Sequence, residues 1–205
     1  MRISHVVRVL IVSDFLINSG FSVFAPVFAV FVTKQIANGS LEVVGFAAAI
    51  AQIFKVGLQI PVARYLDKNH GEYDDFYSLV LGSLCVATVP FLYFFASTST
   101  HIYLIQALYG VGLALAVPPW YAIFTRHIDH HRENVEWSFE SIAIGISAAS
   151  ASSLGGFLAQ RYGFSNLFLI GGCLAFLGAA FQIRIYQDLR AKVSQGAVKP
   201  LPDRS

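Results

Sequence analysis

The sequence predicts an all-α membrane protein of six transmembrane helices, arranged as two inverted three-helix repeats with both termini in the cytoplasm. Three observations carry this expectation. Hydrophobic residues make up 56% of the 205 residues and charged residues only 13%, against about 25% charged in a soluble domain. The apolar residues fall in runs of about 20, which at 1.5 Å rise per residue cross the hydrocarbon core of a bilayer. The basic residues lie mostly on one side of those runs, and such an excess marks the cytoplasmic face.

The first helix is expected near residues 6–32, with Pro26 past its midpoint, and the second near 43–63. The segment Thr33–Glu42 between them carries the turn signal Asn38-Gly39. The third and fourth are expected near 77–96 and 102–124, joined by the compact polar turn Ser97–His101. The fifth and sixth are expected near 138–160 and 167–187, linked by Arg161–Asn166. Six spans make residues 1–187 one transmembrane domain. They leave 188–205 as a cytoplasmic polar tail, and the stretch from Gln187 onward is expected to fray. Of the 14 Lys and Arg residues, Lys34 and Arg161 fall on one side, Lys55 lies within a span, and the other eleven share the side of the termini.

Composition narrows function as well. A net charge of +2 is too small to imply a nucleic-acid partner. The first apolar run is longer than the about 7–15 residues of a cleavable leader's core. Cys85 and Cys173 fall in apolar helices and are expected to be unpaired thiols that pack as small apolar groups. No nucleotide-binding loop, no zinc spacing within the membrane and no nucleophile with a base and an orienting acid is found, so neither an enzyme nor a cofactor is implied. His127, His130 and His131 around Asp129 have spacings open to a metal, but nothing else supports a closed site, and no metal is predicted.

The two halves of the chain echo each other. Pro26 in the first helix matches Pro118-Pro119 in the fourth. Arg64-Tyr65 at the end of the second matches Arg161-Tyr162 at the end of the fifth. Gly82 in the third matches Gly171-Gly172 in the sixth. Three helices are an odd number, so the units insert in opposite senses, which is a transporter device.

Ionisable groups at membrane depth carry the functional expectation, because each costs on the order of 2.5–3.5 kcal/mol to insert. Asp14 and Lys55 are such groups, at expected depths that allow them to meet. Asn18 follows Asp14 on the same helix face, and Gln52, Lys55 and Gln59 form one stripe of the second helix. These residues either line a solute or proton path, or Asp14 and Lys55 form a fixed ion pair that sets packing. Snorkelling of Lys55 to the interface is a third possibility. Pro118 and Pro119 interrupt the hydrogen-bond ladder of the fourth helix, as a bend used in gating or as a static kink. Trp120, Tyr109 and Tyr121 either stack on a solute or anchor the interface. The small-residue run Ser147–Ser153 reads best as close helix packing.

The chain also resembles half of a major facilitator superfamily transporter over about residues 6–187. The segment Ala63-Arg64-Tyr65-Leu66-Asp67-Lys68-Asn69-His70-Gly71 is similar to the loop signature after that superfamily's second helix. Asp67, Lys68 and Gly71 match in kind, whereas Ala63 replaces a glycine, one extra residue precedes Gly71, and acidic residues follow it. Gln106-Ala107-Leu108-Tyr109-Gly110-Val111-Gly112 is similar to the fourth-helix motif, with Gln106 in place of its arginine. Ser152-Ser153-Leu154-Gly155-Gly156 resembles the fifth-helix pattern without its Gly-Pro pair.

The resemblance implies half of a major facilitator fold, with Arg64, Asp67, Lys68 and Gly71 in a gating loop and Gln106 and Tyr109 on the solute path. It implies secondary active transport of a small solute by alternating access. The superfamily's usual twelve helices form two halves around a central site. A lone half would turn its cavity wall to lipid, so a homodimer of six-helix halves is expected. The expected partners are the lipid bilayer, a small-molecule solute and a second copy or a sibling half, in a cell (inner) membrane. The alternatives are a non-transporting accessory or sensor subunit, or one half of a heterodimeric transporter.

Overall fold

The computed structural model describes residues 3–69, 72–129 and 131–194, so Gly71 and His130 lie outside the described residues. The first apolar run forms α1 (His5–Phe24), a 3-10 turn (Ala25–Val27) and α2 (Phe28–Gln35). It is followed by α3 (Leu41–Asn69), α4 (Glu72–Phe94), α5 (Ser99–His127), α6 (Glu133–Gln182) and α7 (Ile185–Ser194). Among the described residues, five helical segments are long and apolar enough to cross a membrane.

The last of these segments exceeds what one crossing needs. The 50 residues of α6 would reach about 75 Å if straight, more than twice the about 30 Å hydrocarbon core. The helix instead reverses at Gly163, whose φ of 80° and ψ of 168° form a region open essentially to glycine alone. The two arms then run in opposite directions along α1. Gly155 of the first arm abuts Val23 and Glu140 faces Asp14, while on the second arm Gly171 abuts Gly20 and Gly178 abuts Ser13. The expected Arg161–Asn166 link is thus a one-residue reversal rather than a loop.

The helices share two ends. At one end the 36–40 and 95–98 turns meet, where Ala37 donates its backbone N–H to Ser97 O at 2.9 Å and the Ser99 hydroxyl bonds to Ala37 O at 3.2 Å. Asn38 takes a φ of 58° there, as the Asn-Gly signal anticipates. At the other end Arg126 of α5 pairs with Asp75 of α4, and His5 of α1 bonds Asp188 of α7 at 2.8 Å. Of the tail expected to fray, Gln187 to Ser194 is helical, and 195–205 lie outside the described residues. Ile185 and Leu189, four residues apart on one face of α7, are fully buried against the bundle end, and that anchorage overrides the polar composition.

Packing follows a pattern. α1 packs along both arms of α6, and α5 packs along α3 and α4, while α3 touches little else. An aromatic core of Phe24, Phe31, Tyr93 and Phe168 joins α1, α2, α4 and the second arm of α6, with Phe31 and Phe168 ring centres 4.7 Å apart.

Two of the prolines show how packing meets the bilayer's demand that backbone groups be satisfied internally. Pro26 leaves the carbonyl of Ser22 without its helical donor, and the Ser152 hydroxyl of α6 supplies one at 3.2 Å. Pro119 does the same to Leu115, and the Ser78 hydroxyl of α4 supplies the donor at 2.8 Å. α5 therefore continues as a helix through Pro118 and Pro119. Ser78→Ala is expected to destabilise the chain by about 1 kcal/mol, read as a lower unfolding midpoint in mild detergent. An unchanged midpoint would mean that the carbonyl finds another donor.

Candidate functional site

A cavity of about 370 Å³ lies between α1, α4, α5 and the first arm of α6. Asp14 and Ile17 enter it from α1, Leu79, Ser83 and Val86 from α4, and Trp120 and Tyr121 from α5. Trp137, Glu140 and Ser141 enter from α6. Asp14 stands about 14 Å from the His5 end, and Glu140 and Trp120 about 10 Å from the same end of their helices. The cavity therefore lies well inside the apolar part of the bundle.

Its chemistry is set by two acids. The side chains of Asp14 and Glu140 lie within hydrogen-bond reach of each other. Were both ionised, each would be an acceptor only and neither could satisfy the other. Glu140 is 4% exposed, and among the described residues no donor reaches either of its oxygens. The indole N–H of Trp120 is likewise buried without an acceptor among the described residues. Around the acids the lining is aromatic and aliphatic. Trp120 and Tyr121 contact Trp137 with ring centres 6.1 and 6.0 Å away, and Trp120 stacks on Phe124 at 4.8 Å. One side of the cavity is open, since Tyr121, Ser141 and Ile144 are exposed.

The structure places the sequence-derived candidates in three groups. Asp14 is in the cavity, and the Asn18 amide donates to the Asp14 backbone carbonyl at 3.0 Å, which commits it to its own helix. Gln52, Lys55 and Gln59 lie on α3, which does not line the cavity. No ion pair among the described residues joins Lys55 to Asp14. The reason is the length of α3, which runs to Asn69 instead of ending near 63. Lys55 is thereby raised to about 21 Å from the shared end, on a helix packed against α5 instead of α1.

Gln106 and Tyr109 stand toward the other end of the bundle. The Gln106 amide donates to the Tyr93 hydroxyl at 2.9 Å, and Tyr109 stacks on Phe21 at 5.1 Å. Both hold α5 against its neighbours. Arg64, Asp67 and Lys68 are exposed on the last turns of α3. Asp67 and Glu72 approach Asp75, the partner of Arg126, so the expected gating loop borders a charged cluster. His127 turns inward, its Nδ1 2.9 Å from the Ile123 carbonyl, whereas His131 is exposed, and these two imidazoles do not converge. Cys85 and Cys173 are free thiols, but Cys173 is exposed rather than buried.

Glu140 is the functional candidate that sequence reasoning passed over. The expected span near 138–160 puts Glu140 at its rim, whereas the observed α6 begins at Glu133 and carries Glu140 seven residues in, nearly as deep as Asp14. What hid it was the neighbouring charged segment, which makes Glu140 look like part of an interfacial turn.

No curated protein and no solved structure matches the chain. The profile of the Major Facilitator Superfamily matches residues 10–202, nearly the whole length. With apolar helices around a buried acidic cavity, this chain belongs to the Major Facilitator Superfamily, whose members are membrane transporters and not enzymes.

Proposed function

We propose that the protein is a secondary active transporter of a small solute, working by alternating access as a homodimer of six-helix halves. The observation that carries this reading is the acidic cavity with its open side. Two acids at depth persist only where something offsets their desolvation, and the walls of this cavity stop at the exposed Tyr121, Ser141 and Ile144. A second copy supplies the missing wall and keeps polar groups from lipid, where each unsatisfied one costs several kcal/mol.

The faces available for that copy are narrow. On α3 Gly45 and Gly57, and on α6 Gly145 and Gly156, have nothing within 4 Å of where a side chain would begin. Small residues of this kind let helix backbones approach closely. Counting the two arms of α6 separately makes six crossings, with the start of α1 and α7 at the end to which the sequence pattern assigns eleven of the 14 basic residues. That end is cytoplasmic by the positive-inside rule, and the membrane is the cell (inner) membrane. The packing supports inverted repeats as well. The first helix of each unit packs along the second and third helices of the other, α1 along the arms of α6 and α5 along α3 and α4. Rocking of the two copies about the central cavity then opens it to each side in turn.

Mass measurement in mild detergent or nanodiscs tests the assembly. A twofold complex of identical chains is expected. A lone chain would overturn the reading, and a complex with a different chain would replace the homodimer by a heterodimer of halves.

A further inference from the structure

The geometry points to the class of solute: a small organic ammonium with an apolar body, its charged head between Asp14 and Glu140 and its body against the indoles of Trp120 and Trp137. This rests on the transporter reading above and adds the chemistry of what is carried.

The argument begins with the missing donor. Glu140 is 4% exposed and both its oxygens lack a donor among the described residues. The groups nearest in sequence or depth do not supply one. The Asn18 amide is spent on backbone, Lys55 is on a helix outside the cavity, and no basic side chain is in the lining. A positively charged N–H donor from outside satisfies both acids at once and forms charge-assisted hydrogen bonds, which are about twice as strong as neutral ones.

The walls decide between kinds of cation. A hard inorganic ion seeks six or more oxygens, whereas Ile17, Leu79 and Val86 offer hydrocarbon and Trp120 and Trp137 offer indole. Indole faces attract an organic cation and its apolar body together. Size narrows the class further, because about 370 Å³ is near the lower end of the roughly 300–1,000 Å³ of small-molecule sites.

The test uses the chain's own reporters. It has two tryptophans, and both line the cavity, so tryptophan emission reads occupancy directly. In nanodiscs, 2-phenylethylamine is expected to give a saturable change. 2-Phenylethanol and 3-phenylpropanoate, which keep the body but not the positive head, are expected to give none. Glu140→Gln is expected to weaken the amine response at least about tenfold. An equal response to the alcohol overturns the inference in favour of a merely apolar site. A response to magnesium or sodium chloride without amine overturns it in favour of an inorganic cation, and silence to every probe overturns it outright. The selectivity series uses the unaltered chain and decides the matter even if Glu140→Gln fails to fold. A dimer indifferent to the amine removes this inference and leaves the transporter reading, whereas a lone chain that binds the amine does the reverse.

Discussion

Replacing Gly155 by leucine is expected to unseat α1 from the first arm of α6, whereas the same change at Gly156 leaves the single chain intact and breaks the dimer. The two glycines are neighbours in sequence but face different surroundings. A Cβ on Gly155 would meet the backbone of Val23, with that residue's carbonyl carbon 2.8 Å away. A backbone cannot rotate aside as a side chain can, so the helices must part. Overpacking costs about 1–3 kcal/mol where side chains can yield, and here about 3 kcal/mol or more is expected. The unfolding midpoint in detergent should fall sharply. A Cβ on Gly156 meets nothing within 4 Å, so the isolated chain should keep its midpoint to within about 0.5 kcal/mol. If the small-residue face of α6 is where the second copy docks, the measured mass should fall to that of one chain. A Gly156→Leu dimer as stable as the parent would remove α6 from the proposed interface.

Glu140→Gln is expected to do two opposed things: stabilise the fold by about 1 kcal/mol at a pH where both acids are ionised, and weaken the ammonium response about tenfold to a hundredfold. In the parent chain, once both acids are ionised, two acceptors face each other and no other donor among the described residues reaches Glu140. The amide of glutamine keeps the shape of the side chain and adds N–H donors, one of which can bond Asp14. An intramolecular hydrogen bond of this kind contributes about 0.5–1.5 kcal/mol net. Loss of the second negative charge removes a charge-assisted bond to the solute, which weakens binding about tenfold to a hundredfold. Gain of stability with loss of function is the signature of a site kept strained for its task. Thermal unfolding and tryptophan titration on one preparation separate the two effects. A clear loss of stability on Glu140→Gln would make the carboxyl a structural partner and would end its assignment to a solute site. Glu140→Ala serves as contrast, since it leaves a void and no donor, and no stabilisation is expected from it.

Legibility in the sequence varied with the kind of force involved. The apolar runs fall within the five membrane-capable segments, because a bilayer admits only segments whose backbone bonds to itself. The ends were less legible. α3 extends six residues beyond the expected 63, through Arg64, Asp67 and Lys68, since a helix can continue into water without an apolar face. The reversal at Gly163 is invisible to hydropathy and hinges on one φ angle. Asp14 was legible as a costly residue at depth. Its partner was not, because pairing depends on which way each helix is rotated and on how far α3 and α6 run. Ser78 and Ser152 show the same limit. The prolines announced freed carbonyls, but only the packed structure names the hydroxyls that reach them.

By itself the sequence determined that this chain lives in a membrane, roughly where its helices lie, and that ionisable side chains persist at depth. These follow from hydropathy and insertion cost, which are properties of short stretches. The tertiary structure alone decided that Asp14 faces Glu140 instead of Lys55 and that two indoles wall the space beside them. Contacts between helices are set by close approach at residues such as Gly20 and Gly171, and no local property of either helix encodes the rotation at which they meet.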